Sequence, residues 1–195
     1  MTPRDTILVW RLRSGDREAY RDLIRSHHQG VYGYLRRLGA DAFLAEDLTQ
    51  ETYARAWQRI ETLRKSASLR SWLMTIARNE YLQSVRAGRQ GTAGTEELPE
   101  MRDPGPGPEG EVVLTERDRR VRRAVAQLEG PLQEALALHY FQDLSLREVG
   151  AVLGIPAGTV KSRIHRAIGC LRKMLEEKET DDEREGTEKA IAGHS

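Results

Sequence analysis

The chain has a single cysteine, Cys170, among 195 residues, which excludes an intramolecular disulfide and any zinc site built from several thiolates. Cys170 stands at helical spacing beside apolar neighbours and reads as a small buried hydrophobe. No apolar run reaches the roughly 18 residues of a membrane span, and the opening MTPRDTILVWRLRSGD is too often broken by arginine for a signal peptide. A cytoplasmic location without membrane insertion is therefore expected. Aromatic residues are scarce at 6%, and an apolar share of 38% suits two small helical modules better than one large core. The vocabulary of catalysis is missing as well: there is no HExxH, no GxxxxGK and no GxSxG, and the adjacent His27 and His28 point about 100° apart on a helix. No catalytic residue, metal or cofactor is expected, and the chain reads as a binding protein rather than an enzyme. Period-two alternation and β-branched runs are absent from the first half, so strands are not expected there.

An excess of either charge is also lacking, since the formal net charge is +1. The charges are nevertheless segregated. Residues 1–87 hold 15 basic and 10 acidic side chains, 88–111 hold 2 and 6, 112–175 hold 11 and 6, and 176–195 hold 3 and 8. Two positive blocks, each followed by a negative one, suit a polyanionic partner reached through Coulomb steering and counterion release. The acidic tail reads as a solubilising segment.

From Gly88 to Gly110, six glycines and four prolines interrupt every apolar period. Glycine raises the entropy cost of order and proline bars its predecessor from a helix, so this stretch reads as a flexible linker. The expected division is 1–87, a linker over 88–111, 112–175, and an acidic tail over 176–195. Before the linker, Tyr20, Leu23, Ile24, His27, Val31, Tyr34, Leu35 and Leu38 recur three or four apart. Further helices are predicted from about Ala42 to Arg59 and from Ser68, a cap, to Arg86. Trp10 and Trp57 read as helix anchors. An all-α N-terminal helical bundle of three to four helices follows.

Beyond the linker, Val121, Val125 and Leu128 form a stripe on a basic helix, and Leu132, Leu136 and Tyr140 carry the next. Ser145 with Glu148 makes a capping box, Gly154 ends that short helix, and Pro156 opens the following one. Two helices joined by a glycine-containing turn, the second one basic, form a helix-turn-helix signature. On the second helix Val160, Ile164, Ala167, Ile168 and Leu171 share the inward stripe, whereas Lys161, Ser162, His165 and Arg166 face outward with Arg163 at the flank. No acidic residue occurs from Ala157 to Leu175, so this face is read as a DNA contact. Thr159 and the helix start suit a phosphate; Lys161, Arg163 and Arg166 suit either the backbone or guanine edges.

The stretch LSLREVGAVLGIPAGTVKSRIHRAIGCLRK closely resembles region 4.2 of bacterial sigma factors, in the extracytoplasmic-function (ECF) group of the sigma-70 family. AVAQLEGPLQEALALHYFQDLS resembles region 4.1, and AEDLTQETYARAWQRIETLRKSASLRSWLMTIARNEYLQSVR is similar to regions 2.2 through 2.4. The resemblance implies a promoter-recognition subunit of RNA polymerase with no catalysis of its own and two helical domains, regions 2 and 4. It implies docking of Glu46, Asp47, Gln50 and Glu51 on the polymerase clamp helices, an acidic edge suited to basic groups on a protein. It also implies minus ten recognition and melting by Arg64, Lys65, Ser66, Ser68, Arg70, Trp72, Arg78 and Asn79. Of these, Trp72 reads either as core packing or as a base-facing surface, and Asn79 either as a nucleotide contact or as a support of the local helix. Region 4 would sit on the polymerase flap and read the minus thirty-five element through Thr159, Lys161, Ser162, Arg163, His165 and Arg166. Partners implied are core polymerase, promoter DNA and an anti-sigma factor. The chain departs from the usual pattern at Pro156, where serine is common, at Ile168 and Gln133, where arginines are common, and at Gln83, where an aspartate often stands.

Overall fold

The computed structural model describes residues 2–64, 68–89 and 115–192, leaving aside the side chains of 89, 116–118, 122 and 177–192. Helices α1 (Pro3–Arg13), α2 (Arg17–Arg37) and α3 (Ala42–Arg59) lead through a 3-10 turn (Ile60–Thr62) to α4 (Leu69–Arg89). The second group is α5 (Glu116–Ala126), α6 (Gly130–Tyr140), α7 (Leu146–Leu153) and α8 (Ala157–Ala192). No strand occurs among the described residues, and the fold is all-α.

Local chemistry sets the helix starts. Asp16 accepts from the amides of Glu18 and Ala19, Asp41 from that of Leu44 and Ser68 from that of Ser71, each satisfying donors that a first turn leaves open. Both Thr2 with Asp5 and Ser145 with Glu148 close complete capping boxes. The first of these, with Pro3 behind it, is the signal that marks α1 in the sequence.

The turn from α7 to α8 depends on two glycines. Gly154 caps α7 at φ +69°, a left-handed conformation that side chains resist. At Gly150 a Cβ would stand 2.6 Å from the Ile155 carbonyl oxygen, so the chain folds back over α7 only because that position has no side chain. Val149, Val152, Leu153 and, from α8, Val160 and Ile164 then fill the angle between the two helices.

Both groups of helices share one core. Leu138, Leu144, Val149, Val152 and Val160 belong to the same buried cluster as Leu23, Tyr34, Leu35, Leu69, Leu73 and Met74, with α7 packed along α4 and α6 against α2. A smaller cluster of Leu128, Leu132, Leu136 and Ala167, with half-buried Cys170 beside it, ties α6 to α8.

Five expectations are corrected. Trp10 is 70% exposed: α1 buries Val9 and Leu12, and Trp10 lies with exposed Ile7 on another side of the helix. Ile168 is exposed rather than part of the inward stripe, because α8 buries Val160, Ile164 and Ala167 and turns Ile168 to the edge of a surface groove. Val121 and Tyr140 are exposed as well, while Leu128, Leu132 and Leu136 of their stripes are buried and Val125 is half-buried against them. The expected cytoplasmic placement is replaced by a narrower finding, that no helix among the described residues is long and apolar enough to cross a membrane. Helix α4 runs on through Arg89, two residues into the stretch read as linker, most of which lies outside the described residues.

Gly150→Ala should lower the urea midpoint by an amount worth about 1–3 kcal/mol, the cost of forcing a methyl group into a filled site. Gly158→Ala, where an added Cβ meets nothing within 4 Å, is the matched control and should not lose stability.

Candidate nucleic-acid and polymerase interfaces

Helix α8 turns its basic face to solvent. Thr159, Lys161, Ser162, His165 and Arg166 are exposed and Arg163 is half-buried, while Val160, Ile164 and Ala167 hold the opposite face in the core. Among the described residues Lys161, Arg163 and Arg166 have no carboxylate partner, so their charge remains available. The Ser162 hydroxyl donates to the Thr159 carbonyl at 2.8 Å, which leaves its oxygen free to accept. Beside this face lies an open groove of about 580 Å³ lined by His139, Leu146, Ile164 and Ile168. His139 is oriented by Nδ1–H donating to the Leu144 carbonyl at 2.7 Å.

Helix α3 presents the acidic edge. Glu46, Asp47, Gln50 and Glu51 are exposed, and Ala45, Leu48, Thr49 and Thr52 point inward. The buried hydroxyls of Thr49 and Thr52 donate back to the carbonyls of Ala45 and Leu48, at 2.6 and 2.7 Å, so neither leaves a polar group unmet. Glu46 lies 3.7 Å from His28, and Glu51 2.9 Å from Arg55, which also pairs with buried Glu80 at 2.7 Å. Phe43, 86% exposed, heads the same stripe, since Phe43, Glu46, Asp47 and Gln50 fall at i, i+3, i+4 and i+7. Sequence reasoning passed over it, although its spacing from the acids was the available signal.

The residues assigned to minus ten recognition are dispersed. Lys65 and Ser66 lie outside the described residues. Arg64 and Asn79 are exposed, whereas Trp72 is half-buried against the shared core. Of the remaining three, Arg70 and Arg78 engage the second helical group. Ser68 donates to the Ser71 hydroxyl at 2.9 Å and accepts from the Ser71 amide within its own turn, while the Arg70 guanidinium donates to the Gln142 carbonyl at 3.0 Å and lies 3.5 Å from Asp143. Arg78 Nε donates to Glu134 Oε1 at 2.8 Å, and the same oxygen accepts from the Tyr34 hydroxyl at 2.8 Å.

This environment shifts several groups. Burial opposes the Arg78 charge, but Glu134 outweighs burial and raises the Arg78 pKa. Burial, reinforced by Glu134, pushes the Tyr34 hydroxyl well up. Burial works to raise Glu148, yet hydrogen bonds from Ser68 and Ser145 prevail and hold it low. His27 is pushed below its ordinary 6.5 by burial and then by the positive Arg70, with Asp5 opposing. Among the described residues no group of three or more His, Cys, Asp or Glu side chains is placed to hold a metal ion.

An all-α chain with a helix-turn-helix whose second helix exposes a basic face belongs to the helical DNA-binding proteins. Comparison with known proteins narrows the class. The family model described as Sigma-70 region 2 matches residues 23–90, and that described as Sigma-70, region 4 matches residues 118–171. The ECF RNA polymerase sigma factor SigW of Bacillus subtilis is 30% identical over 86% of this chain and 94% of its own length. The ECF RNA polymerase sigma factor RpoE of Cereibacter sphaeroides is 33% identical over 82% and 88%. Among solved structures, the sigma factor RpoE of Bartonella quintana in complex with the anti-sigma factor NepR aligns with a TM-score of 0.63 at 25% identity, over 80% of this chain and 96% of that one. The chain belongs to the ECF group of sigma-70 family RNA polymerase sigma factors, which direct the polymerase to promoters. Such a subunit has no catalytic activity of its own.

Because the folded His27 pKa is depressed, the unfolded chain binds a proton that the folded one refuses. The stabilising effect of a neutral His27 is complete above the unfolded value of 6.5 and is lost as pH falls from there toward the lowered folded value. Thermal midpoints of the wild-type chain should fall over that window more steeply than those of His27→Gln; parallel profiles would refute this.

Proposed function

We propose that the chain divides its contacts with polymerase and promoter among three surfaces. The exposed face of α8, with Thr159, Lys161, Ser162, Arg163, His165 and Arg166, reads minus thirty-five duplex DNA while the second helical group sits on the polymerase flap. The α3 stripe of Glu46, Asp47, Gln50 and Glu51 docks on basic groups of the clamp helices, with Phe43 as its apolar anchor. Helix α4 and the segment before it, through Arg64, Lys65, Ser66, Ser68, Arg70, Trp72, Arg78 and Asn79, read and help open the minus ten element. The functional division follows 1–87, 88–111, 112–175 and 176–195, the second being a spacer that lets both ends reach one promoter.

The observation that carries this reading is the α8 face, on which exposed cations have no acidic partner among the described residues, as phosphate binding requires. The acidic α3 stripe is its counterpart, since carboxylates there would repel DNA but suit a basic protein surface. An anti-sigma factor is proposed as a further partner because the similar Bartonella quintana protein was solved in complex with one.

Lys161→Glu and Arg166→Glu should each weaken holoenzyme binding to duplex promoter DNA by about 10–100-fold, a loss of about 1–3 kcal/mol per base-reading or phosphate contact, and flatten its salt dependence. Their affinity for core polymerase should be unchanged. Asp47→Lys, Glu51→Lys and Phe43→Ala should do the reverse, each lowering core affinity by about tenfold in a fluorescence titration. Core binding unaffected by all three would remove α3 from the interface.

A further inference from the structure

Trp10 is 70% exposed and Ile7, one turn before it, 62%, so α1 turns an indole and an isoleucine to water while Val9 and Leu12 hold its other side in the core. Nothing in the packing of α1 calls for an aromatic ring there. The neighbour of Trp10 fixes its place in the fold. Arg13 stands at i+3 from Trp10, hence beside it on the helix surface, and Arg13 Nη2 donates to the Leu63 carbonyl at 2.7 Å. Leu63 is the residue before Arg64, where the segment assigned to the minus ten element begins. One side chain and one carbonyl therefore tie the turn that carries Trp10 to the start of that segment.

The charges around α1 are sorted as well. Asp5, the only acid of α1, accepts from the Thr2 amide in the capping box, Asp16 and Asp22 face Arg11 at 2.7 and 3.2 Å, and Glu61 lies 3.6 Å from Arg13. By contrast Arg4 near the start of α1, Arg17 just past its end, and Arg64 are exposed, with no carboxylate partner among the described residues. Arg4 and Ile7 share the lining of a surface groove of about 200 Å³. What α1 displays to water is an aromatic ring with uncompensated cations around it.

We propose that Trp10 is a stacking platform for an unpaired base of the promoter strand held by the minus ten segment, with Arg4, Arg17 and Arg64 following the phosphates of that strand. An indole face suits any base that has left its stack, whereas an intact duplex keeps both faces of each base covered. The free cations supply the backbone part of the contact. Charge also disfavours a polymerase surface in this place. The surface proposed to receive α3 is basic, to match the acidic stripe, and would repel the cations beside α1. The platform rests on the assignment of Arg64 and the residues after it to the minus ten strand.

The test uses holoenzyme assembled from the full-length chain and core polymerase. It is titrated with single-stranded DNA from a promoter that it transcribes, in which the fluorescent adenine analogue aminopurine replaces one base at a time. Stacking on an indole quenches this fluorophore, so one position should be quenched in the wild type. Trp10→Ala should abolish that quenching and weaken strand binding about tenfold, the loss of one stacked base. Trp10→Phe, which keeps a ring, should retain most of the affinity. Core affinity and binding of minus thirty-five duplex DNA should be unchanged in both variants. Full quenching and full strand affinity in Trp10→Ala overturn the platform, and so does a loss confined to core affinity, which would make Trp10 a protein contact. Arg64→Ala tests the assignment underneath. Strand affinity lowered by Arg64→Ala but not by Trp10→Ala refutes the platform alone, whereas the reverse supports the platform and overturns the assignment of the segment that begins at Arg64.

Discussion

A carboxylate cannot remain charged in an apolar interior without partners, and Glu134 is the point at which that constraint shapes the molecule. Taking it from water costs several kcal/mol, which only close hydrogen bonds and an opposite charge offset. Its two partners come from distant parts of the chain, Tyr34 from α2 and Arg78 from α4. Removing either one would leave a buried group uncompensated, at about 3–5 kcal/mol for the charged partner. The orientation of α6 against α2 and α4 is therefore set by a polar requirement as well as by the apolar residues around it, and α7 follows because it is joined to α6 by a short turn. Asp143, at φ +50°, lies in that turn, where its left-handed backbone helps aim Gln142 at Gly30.

The same physics separates two kinds of arginine that composition alone makes equivalent. On α8, Arg166 and Lys161 project into water, and the helix carries no acid from Ala157 to Leu175 to neutralise them. On α4, Arg78 and Arg70 find acceptors on the second helical group. Position relative to a packed neighbour, rather than residue type, decides which charge is free for phosphate. The +1 net charge of the chain thus conceals positive charge displayed on α8, positive charge paired on α4 and an acidic edge on α3.

Most of the fold was legible because it follows from local rules. The 3.6-residue recurrence of Leu23, Val31, Tyr34 and Leu35, the Ser145–Glu148 capping box and the glycine at 154 all act within a few residues of themselves, and α2, α3, α7 and the start of α8 lie where those signals put them. Trp10 and Ile168 were misread because periodicity identifies a stripe without saying how much of it a neighbour covers; α1 buries Val9 and Leu12, and α8 buries Val160, Ile164 and Ala167 while Ile168 stays at the edge. The seam between the two groups was not legible at all. Tyr34 and Glu134 are 100 residues apart, and the sequence shows no rule by which a tyrosine on one helix selects a glutamate on another. The α8 face was readable for the opposite reason, since it is defined by what its own helix turns outward.

The seam also has the composition of a contact that can open. Its apolar part, around Leu138, Val149 and Val152, would lose its cover on separation, and that loss holds the closed form together. Each polar member, by contrast, has an alternative: Glu134 and Tyr34 are satisfied by water once exposed, and Arg70 and Arg78 by water or by phosphate. The hydrogen bonds therefore contribute little to the net free energy of closure while fixing its geometry, because a shifted register would strand Glu134 without partners. Interfaces between domains of one chain are commonly of this mixed kind and permit relative motion. An anionic strand competing for the α4 arginines and a protein surface competing for the apolar part would act on the same equilibrium from different sides, and each would make the other's task easier by linkage.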